Sequence, residues 1–193
     1  MKKDIILCGV GGQGILSIAT IIGEAATKAG LHLKQAEVHG MSQRGGDVQS
    51  NLRLSTETIY SDLISKGATD LIISMEPMEA LRYLPYLSPT GTVVTGSQPF
   101  VNIPNYPDIN DIYAELDALP SVEKLDIESV AKDAGNPKGA NMVLLGMAAP
   151  YIEIVTTDQL RQAIATVFER KGSEIVAANL KAFDMGVESA TKN

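Results

Sequence analysis

Two glycine-rich segments hold the residues of this 193-residue chain best suited to chemistry. The first is Cys8-Gly-Val-Gly-Gly-Gln-Gly-Ile15, directly after the apolar run Asp4-Ile-Ile-Leu-Cys8. Gly9, Gly11, Gly12 and Gly14 permit positive φ and leave the backbone open to close approach. A helix starting just beyond them aims its free N–H groups into the turn, a setting that suits phosphate or carboxylate. Gly9-x-Gly11-x-x-Gly14 also satisfies the dinucleotide-binding fingerprint, a weak signal on its own. The second segment is Glu37-Val-His-Gly-Met-Ser-Gln-Arg-Gly-Gly46. Here His39, Ser42, Gln43 and Arg44 lie among glycines. The Arg44 guanidinium suits bidentate grip of a phosphate or a partner carboxylate, or equally an internal salt bridge. In an open α/β sheet the loops at the carboxyl ends of neighbouring strands converge. The two segments are therefore expected to form one rim of Gly11, Gly12, Gln13, Gly14, His39, Ser42, Gln43, Arg44 and Gly45.

Composition removes several classes. A formal charge of −7 with no Lys/Arg cluster argues against nucleic acid, whose binding needs a basic face to release counterions. Cys8 is the single cysteine, so there is no internal disulfide and no thiolate set for an iron–sulfur cluster or structural zinc. Its place in an apolar strand reads as a small buried thiol rather than a nucleophile. With two histidines in the chain, a metal site is not expected. The start, Met1-Lys-Lys-Asp4, lacks a secretory pattern. The longest apolar stretch, Met142 to Ile152, contains Pro150 and falls short of the ~20 residues that cross a bilayer. The expectation is a cytoplasmic protein without membrane contact.

The elements that must position the rim alternate between strand and helix. Strands are predicted at 4–9, 31–38, 48–54, 70–75, 91–95 and 122–126, with a short one at Thr58–Tyr60. Helices are predicted at 13–29, from Glu76-Pro77 onward, and at 127–134, 141–151, 157–170 and 172–189. Thr156 or Thr157 is the expected cap of the next-to-last helix. Glu76 and Glu79 form a first-turn pair that complements the helix dipole. Asn141 suits a backbone hydrogen bond near its helix start or a ligand contact. The proline-rich stretch at about 96–120 reads as an excursion or lid within a single 1–193 domain. The expected fold is α/β: a three-layer open sheet, largely parallel, flanked by helices, with a Rossmann-like start but not a dinucleotide-binding Rossmann domain.

Together with the later Gly135-Asn-Pro-Lys-Gly-Ala-Asn-Met-Val-Leu-Leu-Gly146, the two loops resemble the gamma-type subunit or domain of 2-oxoacid:ferredoxin oxidoreductases. The His-Gly-Met-Ser-Gln-Arg-Gly-Gly form is most similar to the indolepyruvate branch. The resemblance implies a small subunit of an indolepyruvate (arylpyruvate):ferredoxin oxidoreductase. Such an enzyme converts arylpyruvates to aryl-acetyl-CoA and carbon dioxide with reduction of ferredoxin. It also implies a large alpha subunit carrying thiamine diphosphate, Mg and iron–sulfur clusters, with CoA as co-substrate and ferredoxin met through the complex. This chain would then bind none of those cofactors alone and supply no catalytic acid, base or nucleophile. Its rim would offer a CoA-phosphate or partner contact. Two rival readings remain at this point. One is a stand-alone NAD(P)- or FAD-binding oxidoreductase, with Glu37 about 20 residues beyond Gly14 as the ribose acid. The other is a noncatalytic binding module.

Overall fold

The computed structural model describes residues 1–39 and 46–190. β1 (Lys2–Val10) is buried from Asp4 to its end, and it leads through the glycine turn into α1 (Ile15–Lys28). β2 (His32–His39) and β3 (Asp47–Ser55) follow, then β4 (Thr69–Ser74), α2 (Pro77–Arg82) and β5 (Leu87–Gly96). The chain continues through α3 (Ile109–Asp117), β6 (Val122–Leu125), α4 (Ile127–Asp133), α5 (Ala140–Ile152), α6 (Thr157–Phe168) and α7 (Ser173–Ala190). The sheet order is β2-β3-β1-β4-β5-β6. β1, β4, β5 and β6 run parallel to their neighbours in that series, whereas β3 is antiparallel to both β1 and β2. No helix among the described residues is long and apolar enough to cross a membrane.

Local chemistry explains these boundaries. β1 and β4 are nearly continuous apolar runs because helices cover both faces of the sheet. α1 stops at Gly30, where φ is +72°; the Gly30 and Leu31 N–H groups return to the Thr27 and Ala26 carbonyls at 3.0 Å. α6 starts on a capping box, with Thr156 Oγ1 accepting from the Gln159 N–H and Gln159 Oε1 accepting from the Thr156 N–H.

Two expectations need correction. The strand after α1 is not the neighbour of β1, because β3 turns back and inserts between them. Nor does Thr58–Tyr60 form a strand. Both edges of β3 are already paired, so the chain leaving it cannot return as a hairpin partner of β3. Arg53 instead holds this loop, donating to the carbonyls of Ser61 and Leu63 while gripping the buried Asp4 carboxylate at 2.8 and 3.1 Å. The proline-rich 96–120 stretch carries the β5-to-β6 crossover, and α3 within it buries Ile112 and Leu116.

The core has two layers. Ile5 and Leu7 of β1 pack with α1, α5, α6 and α7 on one face, while Ile6 and Cys8 pack with α2 and α3 on the other. α5 is buried all round from Met142 to Ala149 because it lies between the sheet and α7. Glycines let α5 and α7 approach backbone to backbone. A Cβ on Gly146 would sit 2.0 Å from the Phe183 carbonyl oxygen, and one on Gly186 would sit 2.1 Å from that of Val143. Backbone cannot rotate away as a side chain can. Gly146→Ala and Gly186→Ala are each expected to lower the unfolding free energy by about 1–3 kcal/mol or more in denaturant titration.

Candidate functional site

The carboxyl end of β1 is where the first glycine segment reverses the chain. The Gln13 N–H donates to the Val10 carbonyl at 3.1 Å, and the Val10 N–H donates to Gln13 Oε1 at 2.7 Å. The Gln13 side chain therefore closes the turn from inside. Gly14 caps α1 at φ +86°, in the left-handed region, with no side-chain cap and no acidic residue in the first turn. Its carbonyl accepts from Asn141 Nδ2 at 3.2 Å and from the Ser17 N–H at 3.1 Å. Asn141 thus serves the turn rather than the start of its own helix.

The second segment reaches the same place. The β1–β3 register sets Val10 opposite Asp47, and the Gly11 N–H donates to the Gly46 carbonyl at 2.8 Å. His39 is the last residue of β2, opposite Val48, rather than part of the loop. Of the nine expected rim residues, Gly11, Gly12, Gln13 and Gly14 form the turn and His39 ends the adjoining hairpin strand. Ser42, Gln43, Arg44 and Gly45 lie outside the described residues. Gly46, which follows those residues, lies beside the glycine turn, and His39 stands one strand farther out.

This edge is also the switch point of the sheet. α1 leaves β1 toward one face and α2 leaves β4 toward the other, the arrangement that in open α/β sheets places a ligand crevice beyond the strands' carboxyl ends. Sequence reasoning missed the group buried beside this point on the β4 side. Glu76 is fully buried and is the N-cap of α2, not a member of its first turn. Its Oε1 accepts from the Glu79 N–H at 2.6 Å and its Oε2 from the Tyr106 hydroxyl at 2.7 Å. Burial raises the carboxyl's pKa above the ordinary range, with the Tyr106 hydrogen bond acting against the shift. A Glu-Pro pair at the end of a buried strand was the available signal. Glu79, also buried, is held by Arg82 through bonds of 2.8 and 3.0 Å. Burial likewise raises the pKa of the Cys8 thiol, which donates to the Glu79 carbonyl at 3.6 Å. A protonated, enclosed thiol is a poor nucleophile. Among the described residues no group of three or more His, Cys, Asp or Glu is placed to hold a metal ion.

The strand order bears on the nucleotide reading. A dinucleotide fold pairs the strand after the first helix directly with β1, bringing its terminal acid to the ribose. Here β3 intervenes, so Glu37 stands one strand farther out, where Gln35 Nε2 donates to it at 2.5 Å.

A mostly parallel α/β sheet with a hairpin inserted beside its first strand, and a glycine turn joined to that hairpin, defines the structural class. The model for pyruvate ferredoxin/flavodoxin oxidoreductase matches residues 4–189, and the chain belongs to that family. It is 36% identical to indolepyruvate oxidoreductase subunit IorB of Pyrococcus horikoshii, over 98% of this chain and 97% of that one. A keto/oxoacid ferredoxin oxidoreductase gamma subunit from Geobacter sulfurreducens has the same fold, with TM-score 0.73 and 25% identity over 99% of each chain. The fold also recurs as 31% of a longer chain in 2-oxoglutarate:ferredoxin oxidoreductase from Magnetococcus marinus. That match has TM-score 0.77 and 24% identity over all of this chain.

Two outcomes test the site's geometry. A Cβ on Gly12 meets nothing within 4 Å, but at φ +101° alanine is strained; at Gly14 the Cβ would also meet Asn141 Nδ2 at 2.6 Å. Gly12→Ala should cost about 1–2 kcal/mol, and Gly14→Ala measurably more, in parallel unfolding titrations. For Glu76, a raised folded pKa means a stabilising contribution that is complete below the ordinary carboxyl range and lost as pH rises through the folded value. The stability of Glu76→Gln relative to the native chain should therefore improve between pH 4 and pH 8, measured by denaturant unfolding across that range.

Proposed function

We propose that this chain is the small subunit of a cytoplasmic arylpyruvate:ferredoxin oxidoreductase, with indolepyruvate as the representative substrate. The observation that carries the reading is the near-full-length similarity to IorB, a protein named as an indolepyruvate oxidoreductase subunit. In this reading a large alpha subunit carries thiamine diphosphate, Mg and iron–sulfur clusters, which supply carbanion stabilisation and electron transfer to ferredoxin. Both the length match to a separately named subunit and the chain's single, buried cysteine support that division of labour.

What this chain contributes is binding and shape. The uncapped start of α1 offers N–H groups and the positive end of a helix dipole to an anion. The Gly11–Gly46 hydrogen bond keeps the Arg44 segment tied to that turn at its far end. Gly11, Gly12, Gln13, Gly14, His39, Ser42, Gln43, Arg44 and Gly45 then form a rim for a CoA phosphate or for a carboxylate of the large subunit. Arg44 is the charged member.

Co-expression with the large subunit, followed by viologen or ferredoxin reduction with indolepyruvate, phenylpyruvate and pyruvate, tests the assignment. Turnover is expected with the two chains together and CoA present, faster with the aryl substrates, while the isolated chain stays colourless and inactive. Turnover by the isolated chain, or a copurifying flavin or nicotinamide, contradicts it. Arg44→Ala should keep the native melting temperature and weaken either the apparent CoA constant or subunit affinity about tenfold, the loss of one charge-assisted contact. A drop in stability with both constants unchanged identifies Arg44 as an internal salt-bridge partner.

A further inference from the structure

Between β5 and α3, residues 97–108 form an extended strap without helix or strand, crossing the carboxyl edge of the sheet. Its first residue is anchored on the β6 side, where the Ser97 N–H donates to the Leu125 carbonyl at 2.8 Å and Tyr113 Oη donates to the Ser97 carbonyl at 2.6 Å. Farther along, the chain is tied to one buried group. Glu76 Oε2 accepts from Tyr106 Oη at 2.7 Å. Its other oxygen accepts from the Glu79 N–H at the start of α2. The Ser74 hydroxyl donates to the Glu76 backbone carbonyl at 2.6 Å, fixing the residue to the end of β4. One carboxyl thus joins the start of α2 to Tyr106 in the strap, on a residue fixed to the end of β4.

A solvent-excluded carboxyl is costly to keep, and surface carboxylates cap helices equally well. The α2 cap alone does not account for burying this one. The bond to the strap does, because a group accepting from donors on separate segments fixes their relative placement, and low dielectric strengthens each bond. Phe100, Val101 and Ile103 lie between the tied points and remain 42%, 69% and 37% exposed, so apolar burial alone does not hold this part of the strap.

We propose that Glu76 is a positioning residue whose buried carboxyl pins the 97–108 strap to the β4–α2 junction, thereby fixing one wall of the switch-point crevice opposite the glycine turn. The functional half rests on the reading above, in which that crevice receives CoA or the large subunit. Glu76 touches no reacting atom in this role. It sets the shape of the surface against which a ligand at the rim lies.

The test uses Tyr106→Phe, which deletes one donor and keeps the ring, and Glu76→Gln, which keeps the shape and leaves one acceptor oxygen. Hydrogen exchange of the isolated chain should show amides 98–106 exchanging at least about tenfold faster in both variants, with β1 and α1 amides unchanged. In the assembled enzyme the same variants should raise the apparent CoA constant or weaken subunit affinity while keeping kcat within about twofold. Unchanged strap exchange in both variants overturns the pin. Uniformly faster exchange over the whole chain also overturns it, since the bond would then serve global stability. A loosened strap with native CoA constant, subunit affinity and kcat overturns the positioning role. If the native complex turns over no 2-oxoacid, the functional reading fails together with the positioning half, and the exchange data still decide whether the pin exists.

Discussion

The antiparallel pairing of β1 with β3 is the constraint on which the rest of the structure depends. Nine consecutive residue pairs run from Lys2 opposite Ser55 to Val10 opposite Asp47. A slip of one residue would turn every β3 side chain to the other face, moving Leu52 and Leu54 out of the core. That burial fixes the register, and the register delivers Gly46 to Gly11. The hydrogen bond between them is a consequence of pairing along a whole strand rather than a local accident. The same insertion pushes β2 to the sheet edge and takes Glu37 away from the first strand, so a glycine pattern that satisfies a nucleotide fingerprint occupies a different topology.

The rim is built from backbone and the crevice wall from a buried side chain, and the two are held differently. Around Gly14, positive φ and the close approach of Asn141 leave room for no side chain. Opposite, Glu76 gathers donors from α2 and from the strap, and Arg82 secures the neighbouring Glu79. Both arrangements place polar groups in fixed geometry at one edge, while the close packing of α5 on α7 stabilises the face behind. This edge therefore presents fixed shape and fixed dipoles.

Much of this was legible in the sequence. Apolar runs marked β1, β4 and β5 within a few residues, Gly30 marked the end of α1, and Thr156 marked the start of α6. The first glycine segment marked the turn after β1, where Gly12 and Gly14 take positive φ. Strand order was not legible. β2 and β3 intersperse polar with apolar residues in a way that names no neighbour, and the hairpin between them runs through a segment without a short two-residue turn signal. Glu76 was misread for a related reason. A first-turn acid and an N-cap acid differ by a position, and burial of the latter depends on Tyr106, thirty residues along the chain. Thr58–Tyr60 has strand-forming residues but lies in the loop that Arg53 holds, a tertiary fact that local propensity does not contain.

The central claim is that the carboxyl edge carrying both glycine segments is the working face of the subunit. Its most direct test is the hydrogen-exchange footprint of the chain, free and in complex with the co-expressed large subunit, with and without CoA. The account predicts that protection gained on assembly or CoA addition concentrates in 9–17 and 36–48. Protection confined to the opposite edge, at 56–66, with those two segments exchanging as in the free chain, would contradict it.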